Sequence, residues 1–262
     1  MTAFIPRMHL FEFEDFPWFP SRIRDYMTDF LRHSTIRMKL HRPMIDVLTA
    51  AVEKAGTPQI VDLCSGGGGL LAAMQRDICQ SGPPNMAIIY TDKYPNVAAL
   101  SEICRERPGS ISFERASVDA TAVPARLKGI RTMFSAFHHF RPDVAQQILA
   151  DAAESRQGIA IFEISRRSLL GFVPMLLSPI GTWLMTPFIR PFDLRRLFFT
   201  YVIPAVPFFV LWDGVVSAFR TYTVEELKDM AAKLGSEDFE WTAGVTDAPY
   251  GYKITYLTGV PK

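Results

Sequence analysis

The side chains best placed to do chemistry gather where short apolar runs end. Gln59-Ile60-Val61-Asp62-Leu63 stops at Cys64-Ser65-Gly66-Gly67-Gly68-Gly69, and a helical period restarts at Leu70. A glycine-rich turn between strand and helix lets a ligand come close to the backbone, because glycine tolerates positive φ and carries no side chain. A nucleotide-type ligand is the usual occupant of such a turn. A dinucleotide fingerprint starting at Gly66 would need its third glycine at position 71, where the chain has Leu71, so the nicotinamide reading fails. Two further acids, Asp92 and Asp119, follow the next apolar runs, and the adjacent pair His138 and His139 follows a later one. Imidazoles change charge near neutral pH and can act as bases there.

Elements that position these groups follow from the periodicity. A helix is expected over 44–54, a strand over 59–63, a helix over 70–78 and a strand over 86–91 that ends at Asp92. Then come a helix over 96–106, strands over 111–117 and 132–137, a helix over 142–154 and a strand over 158–163. Repeated β-then-α units of this kind predict an α/β fold with a mostly parallel, doubly wound sheet covered on both faces. Thr223, with Glu225 and Glu226 behind it, opens a C-terminal helix, and the runs 239–242 and 253–259 predict an antiparallel hairpin at the sheet edge.

Val61-Asp62-Leu63-Cys64-Ser65-Gly66-Gly67-Gly68, an acid in a strand followed by a small-x-Gly-x-Gly turn, resembles the first motif of class I S-adenosylmethionine-dependent methyltransferases. Asp92 stands where that family's acid accepts hydrogen bonds from ribose hydroxyls. Val118-Asp119-Ala120-Thr121-Ala122-Val123-Pro124 is similar to the segment whose aspartate meets the adenine amine. Met133-Phe134-Ser135-Ala136-Phe137-His138-His139-Phe140 resembles the post-strand segment of the small-molecule and lipid-modifying members. The likeness covers 44–163 and the C-terminal helix and hairpin. It departs at Cys64, where the family most often has glycine, and small size is expected to suffice there.

The resemblance implies a seven-stranded Rossmann-like sheet and S-adenosyl-L-methionine as cofactor. The implied cofactor contacts are Asp62, Cys64, Ser65, Gly66, Gly68, Asp92, Lys93, Asp119, Ala120 and Ser135, with Asp62 organising the turn or meeting the methionine amino group. Cys64 is expected to pack rather than react, since no cationic neighbour is evident to lower its pKa. Methyl transfer from a sulfonium is an in-line displacement on an activated electrophile, so the protein has mainly to align the acceptor and exclude water. A hydroxyl acceptor would profit from a base, and the candidates are His138 or His139, of which an extended segment points only one into a pocket. Tyr222 is the third catalytic candidate, while Arg220 and Glu163 suit substrate contact or ion pairs at element ends. Ser135-Ala136-Phe137-His138 replaces the Asn/Asp-Pro-Pro-aromatic motif of base and glutamine methylators. The expected reaction is therefore methylation of a hydrophobic small molecule or lipid-like acceptor, oxygen being favoured. The alternative is a non-catalytic module that keeps the cofactor fold as a membrane-associated adaptor.

Composition bounds the partners. Lys+Arg 28 against Asp+Glu 27 gives a net charge of +1, no field for a polyanion, so nucleic acid is not an expected partner. Three cysteines without metal-ligand spacing suit a reducing compartment and no metal site, and the N-terminus carries no export pattern, so a cytoplasmic location is expected. Residues 1–43 read as an aromatic and basic cap with a helix capped by Ser21, 44–164 and 222–262 as the core, and 165–221 as an apolar insertion. Runs 169–189 and 197–212 hold no charge, and Arg190-Pro191-Phe192-Asp193-Leu194-Arg195-Arg196 separates them. Prolines interrupt both runs, and an arginine-rich connection opposes a paired crossing of the membrane. The insertion then covers an apolar acceptor pocket, lies in the inner membrane interface as a peripheral foot, or forms a dimer contact.

Overall fold

The computed structural model describes residues 5–82, 85–106, 109–235 and 238–262. In chain order its elements are α1 (Ser21–Arg37), α2 (Arg42–Ala55), β1 (Gln59–Asp62), α3 (Gly69–Ser81), β2 (Ala87–Tyr90), α4 (Val97–Glu106) and β3 (Ile111–Phe113). There follow β4 (Ile130–Phe134), α5 (Pro142–Glu154), β5 (Ile159–Glu163), α6 (Leu169–Leu176), α7 (Ser178–Met185), α8 (Leu194–Leu197) and α9 (Ala205–Arg220). The chain closes with α10 (Val224–Lys233), β6 (Phe239–Asp247) and β7 (Lys253–Pro261). It divides into two compact units, one of 1–40 with 165–222, the other of 41–164 with 223–262.

The second unit holds a seven-stranded sheet in the order β3-β2-β1-β4-β5-β7-β6. Strands β1 to β5 pair in parallel, β7 runs antiparallel to β5, and β6 antiparallel to β7 at the edge. Every residue of β5 is buried, the near-continuous apolar run that a strand covered on both faces requires. Thr223 caps α10 by accepting the Glu226 N–H, while Glu226 answers to the Thr223 N–H, the reciprocal bonding that fixes a helix start.

Several boundaries differ from the expectation: α3 runs on to Ser81, β4 begins at Ile130, and β6 and β7 run on to Asp247 and Pro261, while three others have a local cause. The strand expected over 132–137 ends at Phe134, because Ser135 takes φ +48° and the chain tightens into a 3-10 turn at Phe137–His139. The strand expected over 111–117 ends at Phe113; beyond it the Ala116 N–H turns back onto the Glu114 carboxylate at 3.3 Å. Ser21 is the first residue of α1 rather than its cap, which is Pro20 without a side-chain bond.

In the first unit α1 buries Ile23, Tyr26, Met27 and Phe30 against Ile189, Val206 and Val210. The aromatic arm preceding α1 is pinned by α9. Asp213 accepts the N–H groups of Phe13 and Glu14 at 2.8 and 3.3 Å, and Arg220 pairs with Glu12 and Asp15 at 3.0 and 2.6 Å. Burial pushes the Asp213 carboxyl up to about 6 against the pull of those backbone donors.

Candidate functional site

Strand order reverses between β1 and β4, the switch point where open α/β sheets receive ligands at the carboxyl ends of their strands. Asp62 ends β1 there. Its side chain is fully buried and accepts the Ser65 hydroxyl on Oδ2 and the Thr132 hydroxyl on Oδ1, each at 2.7 Å. Desolvation pushes this carboxyl up to about 7, the two hydroxyls opposing the rise. Asp62 thus organises the turn, one of the two roles the sequence left open.

The turn itself is a run of left-handed residues: Cys64 at φ +57°, Gly66 at +53°, Gly68 at +85° and Gly69 at +43°. This corrects the expectation that small size suffices at Cys64. What the position asks for is positive φ, which glycine adopts freely and cysteine does not. Burial first, then the charges of Asp92, Asp62 and Asp119, raise the Cys64 thiol, which disfavours its thiolate form. Gly66 faces open space, whereas a side chain on Gly68 would collide with Ile103 of α4.

Asp92, just past β2, closes the turn from the neighbouring strand. Its Oδ2 accepts the Gly66 N–H and its Oδ1 the Tyr94 N–H, both at 2.7 Å. Each carboxylate oxygen has two lone pairs, so both keep capacity for a second donor. Lys93 beside it pairs with Asp119 at 2.9 Å on the surface. Asp119 also accepts the Thr121 N–H and hydroxyl at 3.0 and 2.7 Å, and Lys93 with these bonds holds its carboxyl down to about 2. Ala120 is buried behind it, and the Ser135 N–H is taken by the Phe162 carbonyl at 2.7 Å.

After β4, the 3-10 turn replaces the extended segment on which the two histidines were expected to diverge. Their rings lie 4.3 Å apart, inclined by 32°. His138 is buried, and Glu163 at the end of β5 grips it twice, Oε2 to Nδ1 at 2.7 Å and Oε1 to the backbone N–H at 3.0 Å. His139 is half-buried. Tyr222 belongs to the other unit, where it is buried with the Arg7 guanidinium 4.0 Å from its ring centre. Arg220 is engaged there at a helix end by Glu12 and Asp15.

Comparison with protein-family models finds no match, and none is found among curated proteins. Solved structures do match. Magnesium protoporphyrin IX methyltransferase (ChlM) from Synechocystis PCC 6803, with bound SAH, aligns over 92% of this chain and 99% of its own at TM-score 0.50 and 12% identity. The fold is that of the class I S-adenosylmethionine-dependent methyltransferases. Also similar are the methyltransferase domain of bacterial CtHen1 (TM-score 0.49, 16% identity, 84% of this chain and 99% of that one) and an O-methyltransferase of neocarzinostatin biosynthesis, NcsB1 (0.47, 15%, 82% and 52%). The chain spans about half the length of the latter.

On this methyltransferase fold two further residues bond to the candidate site residues. Thr132 of β4 is opposite Asp62 in the parallel register and supplies its second hydroxyl. Glu163, read from the sequence as a substrate contact or element-end ion pair, bonds His138 through the two distances above. Adjacent carboxyl ends of β4 and β5 were the available signal, since neighbouring parallel strands deliver their last residues to one edge.

Proposed function

We propose that this protein transfers a methyl group from S-adenosylmethionine to an oxygen of a hydrophobic small-molecule or lipid-like acceptor. The observation that carries the reading is the Asp92 carboxylate, bonded to the glycine turn by Gly66 yet with a lone pair left on each oxygen, beside an α-carbon that faces open space. Such a carboxylate suits a vicinal diol. Asp62 and Ser65 hold the turn, Cys64, Gly66 and Gly68 give it its left-handed backbone, and Lys93 braces Asp119, whose carboxylate suits an amine. When bound, the cofactor supplies a methyl group already activated as a sulfonium.

The histidine supports oxygen as the acceptor atom. Methylating a hydroxyl releases its proton, and a base raises the rate about 10²–10⁴-fold when it stands within reach. Glu163 at Nδ1 orients His138, and with an Nδ1–H donated to that carboxylate the base of this reading would be Nε2. One protein of the same fold is a magnesium protoporphyrin IX methyltransferase, which favours a non-polymeric acceptor.

Calorimetry with S-adenosylhomocysteine should show binding by the full chain and a drop of about tenfold or more for Asp92→Ala, as expected for lost hydrogen bonds to a charged group. Incubation with labelled cofactor and a lipid or metabolite extract should give an organic-extractable product. His138→Ala should cut that product about 100-fold with nucleoside affinity kept. Unaltered affinity in Asp92→Ala removes the ribose assignment; binding without product across broad extracts makes the protein a binding module instead.

A further inference from the structure

We infer that α6, α7 and the loop that follows them form a membrane-docking face that lies in the interface of an anionic bilayer. The continuous stretch Leu169–Phe188 has a mean hydropathy of 1.5 over 18 residues, yet only 11% of it is buried. A core helix of that composition would be covered. Here Leu170 is 85% and Leu184 67% exposed, and Phe188, Phe192, Leu194 and Val202 continue the exposed apolar surface. Soluble monomers rarely leave apolar patches beyond about a few hundred Å² open to water.

Five polar side chains in this region are bonded within the protein, while the Ser178 hydroxyl of α7 is buried without a partner. The hydroxyls of Thr182, Thr186 and Thr200 donate to the carbonyls four residues earlier, at 2.8, 2.7 and 2.8 Å. Trp183 Nε1–H donates to the Thr200 carbonyl at 3.1 Å, and the Tyr201 hydroxyl donates to the Trp183 carbonyl. A protein partner would be read through outward donors and acceptors, about one hydrogen bond per 100–200 Å². Hydrocarbon asks for the reverse, all polar groups satisfied within the protein.

Charge completes the match. Segment 165–222 holds six arginines, two aspartates and no lysine or glutamate. Among its described residues the only exposed charges are Arg190 and Arg195, at the break between the two apolar runs, while Asp193 is half-buried and hydrogen-bonded to Tyr26 and Asp213 is buried. Arginines beside an apolar face sit at the level of anionic headgroups. The helices lie on the bilayer rather than cross it. A Cβ placed on Gly181 of α7 would lie 3.4 Å from the Phe30 ring of α1, so the two helices are close there, and α1 carries exposed Arg22, Asp25 and Arg37, which hydrocarbon would not admit.

The inference stands independently of methyl transfer. Its test is flotation of the full chain with vesicles of phosphatidylcholine alone or mixed with phosphatidylglycerol. Binding is expected to the mixed vesicles and to be weaker to neutral ones. Arg190→Gln with Arg195→Gln should lower affinity for the mixed vesicles, by about fivefold per arginine. Leu170→Glu with Leu184→Glu, both at exposed positions, should abolish binding while the melting temperature is kept. Failure of the wild-type chain to float with mixed vesicles overturns the proposal, as does flotation that the glutamate pair leaves intact. A lipid-free dimer that the glutamate pair dissociates, with no vesicle binding, assigns the face to a second copy.

Discussion

Cys64 shows how much a single backbone angle decides. At φ +57° a non-glycine residue sits in the left-handed well, which costs about 1–2 kcal/mol, and the raised thiol offers no reactivity in return. Cys64→Gly should therefore be neutral or stabilise by up to about 1 kcal/mol, because relief of the left-handed strain is partly offset by glycine's greater freedom in the unfolded chain. Cys64→Val should lose about 2 kcal/mol, since a β-branched side chain tolerates positive φ worst. Urea unfolding monitored by circular dichroism measures both; equal stability of all three chains would mean that the turn does not hold residue 64 left-handed. The acids were legible as residue types, because each closes an apolar run. The need for positive φ at 64 was not, because cysteine gives no sign of it.

Among elements, the glycine turn and α4 are coupled through Gly68. A methyl group there meets Ile103 and must also accept φ +85°, so Gly68→Ala combines a collision with strain. The expected loss is about 1–3 kcal/mol, from the left-handed penalty together with displacement of the Ile103 Cδ1 methyl, the movable end of that side chain. Gly66→Ala, with the same sign of φ and open space, should lose only about 1–2 kcal/mol. Comparing the two by thermal unfolding separates packing from backbone, and equal losses would rule out the contact with Ile103. Long periodic elements were readable from sequence: α5 begins at the proline that starts its pattern, and β5 matches its apolar run to within a residue. The break after β4 was not, because Ser135 carries no mark of a left-handed turn. The expected extended strand therefore hid the 3-10 geometry that brings the two tilted histidine rings together and hands His138 to Glu163.

For the whole molecule, buried carboxyls set how stability responds to pH. Asp62 is pushed up to about 7 in the folded chain, whereas it titrates near 3.9 when unfolded, so between these values the native state binds more protons than the unfolded one. Stability contributed through this group is therefore complete below about pH 4 and falls as pH rises to about 7, with a slope of up to about 1.4 kcal/mol per pH unit. Asp213 acts in the same direction within the other unit, over a window closing near 6. Asp119, held down to about 2, acts in the opposite direction: its contribution is present above about pH 4 and is lost as pH falls toward 2. The mildly acidic range is thus where the fold should be firmest. Asp62→Asn keeps an acceptor for one of the two hydroxyls and cannot ionise, so it should remove the Asp62 share of the slope. Urea unfolding at a series of pH values from about 4 to 8 should show wild-type stability declining more steeply than that of the variant. Parallel curves would mean that Asp62 is ionised throughout, and that the turn is held by a charge rather than by a neutral carboxyl.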